Sequence, residues 1–384
     1  MPSGDADGPP INTKGEPSVA HEIDQLTMPS PQRNASFAEL RQALDREEGI
    51  KLDTVASGGA ISARAGNIVV GDRVYRPNAV ADEGIAAKLN IPLPYLRRMR
   101  AEAPDLYDLN VGGWLEREPE RKFLLRAFRG APGTLRAFLS DSYRVIDHLD
   151  VLAAALEGVE EARHPIKILG ADLTDRRMVV RVESEAVKVI ARELLKGYRS
   201  PFTGQSGDDL PVVSAGFVLA NSEVGSGRYT ITPQIVVQVC TNGLTITKDA
   251  LGRTHLGAKL DEGVIRYSEE TQRRNLSLIT SQTRDAVAMF MDHAYVEQKL
   301  TEIEREAGRK VEKPAEAIEY VSKRLRFSDS VRESIFNHFT AGGQITAGGV
   351  MQAVTAAAQT LSDGDAAYEL QGQALTAMSL AAAA

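Results

Sequence analysis

With 384 residues, 43% of them apolar and 25% charged, the chain has room for one large or two ordinary globular domains. A net charge of -7 argues against tight non-specific DNA binding by the surface as a whole, because phosphate neutralisation dominates such affinity. No apolar run reaches the roughly 20 residues that span a bilayer, and a single cysteine excludes an internal disulfide framework, which points to a reducing cytoplasm.

Residues 1–35 are rich in Pro and Gly, lack periodicity and read as a disordered arm. Ser36 with Glu39 forms a capping box for a helix through Arg46, and a hairpin is expected over Asn67 to Tyr75, turning at Gly71-Asp72. Asn78 caps a helix to Leu89, a second helix follows from Leu93 to Ala103, and a third from Leu106 to Leu115. Arg97, Arg98 and Arg100 decorate the second of these and read first as a solvated face.

The period then changes to two. Lys122 to Arg129 and Thr134 to Ser140 read as a hairpin. If cross-strand partners sum to 264, Arg126 faces Phe138 and Phe128 faces Arg136, so guanidinium groups alternate with rings on one face. That face would either stack bases and neutralise phosphates or be a set of cross-strand cation–π pairs under a helix or loop. A helix from Asp147 to Ala162 precedes a second hairpin, Ile166 to Leu173 and Arg176 to Ser184. There Met178, Val180 and Val182 oppose Arg177, Arg181 and Glu183. Glu185 to Tyr198 reads as an amphipathic helix, and Ser200 to Asp209 as a loop long enough to be mobile or to cover a site.

Strand Val212 to Ala220 is apolar on both parities and so should be central, while Arg228 to Cys240 alternates, with Pro233 marking an edge or bulge. Beyond Gly257 the pattern is helical. Val264 to Gly308 is long enough that a break or a packed partner is expected, and four shorter helices follow. The fold class is therefore α+β: a mainly antiparallel curved sheet over about 121–262, an N-terminal helical cluster over 36–120, and a helical C-terminal module over 263–384.

Chemistry is less explicit. Glu223, Cys240, Asn242 and His255 lie in turns bracketing the same strands, and Cys240 with His255 would make a nucleophile–base pair, two metal ligands, or an ordinary buried thiol and a bonded imidazole. No zinc spacing, Walker loop or dinucleotide fingerprint occurs, so no metal or cofactor is expected.

Four stretches taken together resemble a known family. They are Ser140-Asp141-Ser142-Tyr143-Arg144, Asn221-Ser222-Glu223-Val224-Gly225, Cys240-Thr241-Asn242-Gly243-Leu244 and His255-Leu256-Gly257. The family is the phage/plasmid-like one built on the domain of unknown function numbered 932. The resemblance implies a mobile-element setting in recombination or replication, with single-stranded DNA as the partner, and marks Arg144, Asn221, Glu223, Asn242 and His255. The residues themselves place nucleic acid on Lys122, Arg126, Phe128, Arg136, Phe138, Arg177 and Arg181, with Arg144 added by the motif. Two other readings stand beside this one: an enzyme centred on Glu223, Cys240 and His255, and an interaction protein that forms homo-oligomers through its long helix.

Overall fold

The computed structural model describes residues 32–143, 145–239, 242–253 and 268–384, so the predicted N-terminal arm lies almost wholly outside the described residues. The protein is α+β, with curved, mainly antiparallel sheets and a helical C-terminal region.

The chain opens with β1 (Gln32–Ala35) and α1 (Phe37–Ile50), whose N-terminus carries the Ser36–Glu39 capping box. It then builds a six-stranded sheet from β2 (Lys51–Ser57), β3 (Ile61–Arg64), β4 (Asn67–Val70) and β5 (Arg73–Pro77), then β6 (Lys122–Phe128) and β7 (Gly133–Ser140). The order is β2-β6-β7-β5-β4-β3, and only β5 and β7 run parallel. Between β5 and β6 come α2 (Ala79–Leu89), α3 (Leu93–Glu102) and α4 (Pro104–Arg117), which cover one face of that sheet around Ile85, Leu96, Tyr107, Val111 and Phe138. Asn78 accepts from two N–H groups at the start of α2 and Asn90 ends it in the left-handed region, both as its composition predicts.

After α5 (His148–Ala162) comes a second, seven-stranded sheet. Its strands are β8 (Ile166–Leu173), β9 (Met178–Ile190), β10 (Val212–Asn221), β11 (Tyr229–Val237), β12 (Asn242–Thr245) and β13 (Leu251–Arg253), and β1 lies along its edge. The order is β1-β8-β9-β10-β11-β12, with β13 also on β11. One continuous sheet was expected across Lys122 to Leu256; the hairpin β6–β7 instead belongs with the helical cluster.

Strand β10 is central and buried along almost its whole length, as its unbroken apolar run requires. Pro233 sits where the outer partner of β11 changes from β12 to β13, so its missing N–H breaks no ladder there. The helix expected over Glu185 to Tyr198 shrinks to α6 (Arg192–Leu195), because β9 runs on to Ile190. Val187 and Val189 alternate with Ala186 and Lys188, and these β-branched side chains fit a pleated surface better than a helix.

The long C-terminal helical pattern divides at Met291 and Asp292 into α7 (Glu269–Phe290) and α8 (His293–Ala307), with Asp292 capping the second. Then follow α9 (Pro314–Leu325), α10 (Asp329–Gly342), α11 (Ala347–Thr360), α12 (Gly364–Gly372) and α13 (Ala374–Ala383). The inner face of the large sheet buries Val180, Phe217, Leu219, Ile231 and Ile235 against α1, α5, α7 and α8. Helices α11, α12 and α13 all reach the β12 edge.

Helix α5 approaches α7 so closely at Gly158 that an added Cβ would lie 2.4 Å from the Thr280 carbonyl oxygen and 2.9 Å from Thr283 Cβ. Alanine gains up to about 1 kcal/mol of helix propensity over glycine. Overpacking between two backbones exceeds that gain, so Gly158→Ala is expected to destabilise the protein by about 1–3 kcal/mol, read as a lower thermal midpoint.

Candidate functional site

The corner after β10 gathers several buried charges of both signs. Glu223 is fully buried between the two sheets. Its Oε1 accepts from Arg136 Nη2 at 2.7 Å, and its Oε2 from Lys51 Nζ at 3.0 Å. Its backbone carbonyl accepts from Arg126 Nη1 at 2.8 Å. Arg126, only 1% exposed, also donates to Asp53 (2.9 Å) and Asp147 (2.8 Å), and Lys51 reaches Asp147 at 3.1 Å. Asn221 Nδ2 bonds both His148 Nδ1 (3.0 Å) and the Ile146 carbonyl (3.1 Å), tying β10 to the start of α5. Asp147 stands at the N-cap of α5 as predicted, yet its carboxylate serves these cations and makes no capping bond.

Ionisation follows this layout. Burial opposes charge on Glu223. His148 and Arg136, with Lys51 and a hydrogen bond shared with Asp147, hold it well below the usual carboxylate range. Burial pushes Asp147 up, aided by that same bond, and pushes Glu47 up to about 7 against the pull of Arg136. Burial lowers His148 to about 4, so its ring is neutral at pH 7. A carboxylate held ionised by three cations and closed off from solvent is a poor proton acceptor. This corner joins the two sheets; it is not an open site.

The structure therefore separates the predicted nucleic-acid residues. The β6–β7 partners sum to 263 and then 262 around a bulge at Arg136, where 264 was expected. That extra residue turns Phe138 away from Arg126 and into the helical core, with its ring centroid 4.7 Å from that of Phe123. The Arg136–Phe128 pair does form, with the guanidinium carbon 4.2 Å from the ring centroid, but both groups are buried. Of the expected guanidinium-and-ring face, Arg126, Phe128, Arg136 and Phe138 are thus closed to a polyanion. Lys122 is exposed at the start of β6. Arg177 pairs with Asp365 (2.7 Å) and Glu369 (3.2 Å) and stacks on Tyr368 beneath α12. Arg144, Cys240 and His255 lie outside the described residues; Asn242 opens β12 opposite Val237, and its side chain lies outside the description too.

Arg181 has a different setting. The outer face of the large sheet, with α11 and α12, encloses a groove of about 580 Å³ lined by Arg33, Asn34, Lys167, Arg181, Phe202, Gln234 and Gln371. Period-two alternation puts Arg181 on this side while Val180 and Val182 face the core, as predicted. Arg181 and Arg33 both bind the buried Asp172, which they and the Asn34 N–H hold below the usual range despite its burial. Arg33 also donates to the Ala358 and Leu361 carbonyls at the end of α11. Two buried polar atoms in the groove have no partner among the described residues: Arg181 Nη1, a donor, and Gln234 Oε1, an acceptor. At the rim, Lys167 is exposed and Phe202 is supplied by the predicted covering loop.

Sequence reasoning marked Arg181 but missed Arg33, Lys167, Gln234 and Phe202, because strand β1, strand β8, strand β11 and a remote loop meet only in three dimensions. It gave no role to His148 or Glu47. Neither the family models, nor the curated proteins, nor the solved structures contain a match to this chain.

Proposed function

We propose that this protein binds single-stranded nucleic acid through the outer-face groove, in the setting of phage or plasmid recombination or replication and in a reducing cytoplasm. The observation that carries the reading is the pairing in one groove of an unpartnered donor, Arg181 Nη1, and an unpartnered acceptor, Gln234 Oε1. Exposed Lys167 and Phe202 frame them. Cations meet phosphates, amides meet the edges of unstacked bases, and a ring offers a stacking surface. A volume of about 580 Å³ suits one nucleotide-sized unit of a strand, whose neighbours would continue along the surface. The mobile-element setting rests on the corner motifs and their family resemblance alone.

Fluorescence anisotropy with an oligothymidylate of about 12 nucleotides tests this. Affinity should fall steeply between about 50 and 200 mM salt. Phe202→Ala should weaken binding about tenfold, and Lys167→Ala should lower the salt slope by about 0.7. Wild-type affinity in both variants would remove the groove as the binding surface.

A further inference from the structure

A second cavity, between the end of β5, the β3–β4 turn and α3, has a chemistry of its own. It measures about 340 Å³ and is walled by Arg76 from β5, Arg97 and Arg100 from α3, and the Ala65–Gly66 turn between β3 and β4. Residues three apart on a helix share a face, so Arg97 and Arg100 point the same way. Arg100 is pinned beside Arg76 by its bond to the Pro77 carbonyl (2.5 Å) and by its ion pair with Asp82 (2.6 Å).

The local charge does not balance. Arg97 shares Asp82 with Arg100 and shares Glu83 with Arg176. Arg76 is exposed and pairs with no carboxylate of a described residue. The Asp108 carboxylate, behind the turn, is taken up by the Ala65 and Gly66 N–H groups. Four guanidinium groups thus stand against three carboxylates. One of these, Asp82, is buried, and another faces the turn rather than the arginines.

We propose that this pocket is a phosphate-binding site separate from the groove. Guanidinium forks match the oxygens of a tetrahedral oxyanion, and an unpaired cation in a concavity retains its attraction for one. No aromatic side chain lines the pocket, so recognition is of the charged group rather than of a base. The phosphate belongs either to a nucleic-acid backbone or to the monoester of a small metabolite, and the proposal holds whether or not the groove binds a strand.

Isothermal titration of the full chain with inorganic phosphate is the test, using Arg76→Ala and Arg97→Ala. Arg100 is left intact because it also holds Asp82. Saturable binding weakened about tenfold in each variant, but kept in Lys167→Ala, supports the site. If the two variants also lose oligothymidylate affinity, the ligand is the phosphodiester backbone; if only phosphate binding falls, it is a small phosphate ester. No saturable heat in the wild type, or unchanged heat in both variants with unaltered circular dichroism, overturns it.

Discussion

Glu223→Ala should lower the free energy of unfolding by about 3–5 kcal/mol, the usual consequence of removing one partner from a buried ionic cluster. Arg136 and Lys51 converge on its carboxylate and Arg126 on its backbone carbonyl, and the two arginines are buried. Glu223→Gln should lose less, because the amide oxygen still accepts from Arg136 while the charge is gone. Urea denaturation followed by circular dichroism gives the comparison. A loss below about 1 kcal/mol for the alanine variant would mean that the corner is hydrated, and would reopen a chemical role for Glu223.

The second large effect is in the pH dependence of stability. Glu47, raised to about 7 from 4.5, contributes stability that is full below pH 4.5 and is lost as pH rises through 7. Asp147, also raised, acts in the same direction. His148, lowered to about 4 from 6.5, contributes stability that is full above pH 6.5 and is lost as pH falls through 4. Between pH 4.5 and 6.5 the two slopes oppose each other, each spanning about 3 kcal/mol over its range. Asp82, pushed by burial up to about 6 from 3.8, and Asp147 add to the Glu47 slope, so the wild type should lose stability as pH rises across that window. Glu47→Gln should raise the urea midpoint at pH 8, because it removes a buried carboxylate that is ionised there, and should lessen the loss of stability with rising pH. An unchanged midpoint at pH 8 would show that water reaches Glu47.

Much of the fold was legible because local chemistry and tertiary structure agree. Ser36 and Asn78 cap where their side chains predict, and the long C-terminal helical pattern is broken, as its length led one to expect. The Glu185–Tyr198 segment misled because a short stretch with charges between valines satisfies both periods, and only pairing with β10 decides it. The candidate sites were less legible. A single bulge at Arg136 inverts the parity of everything after it, which no alternation count can reveal. The three arginines that wall the second pocket, Arg76, Arg97 and Arg100, come from two separate elements. Spacing cannot bring them together, so Arg97 and Arg100 looked like ordinary solvated charge.

The route of the chain has a modular consequence. The backbone leaves the large sheet's layer at Lys51 and re-enters it at Asp147, and those two side chains touch at 3.1 Å. Everything between them is a guest threaded into a host whose first strand, β1, is laid down before the guest and paired only after it. The guest's two ends lie side by side, the geometry that lets an inserted module be gained, exchanged or bridged by a short connector without disturbing its host.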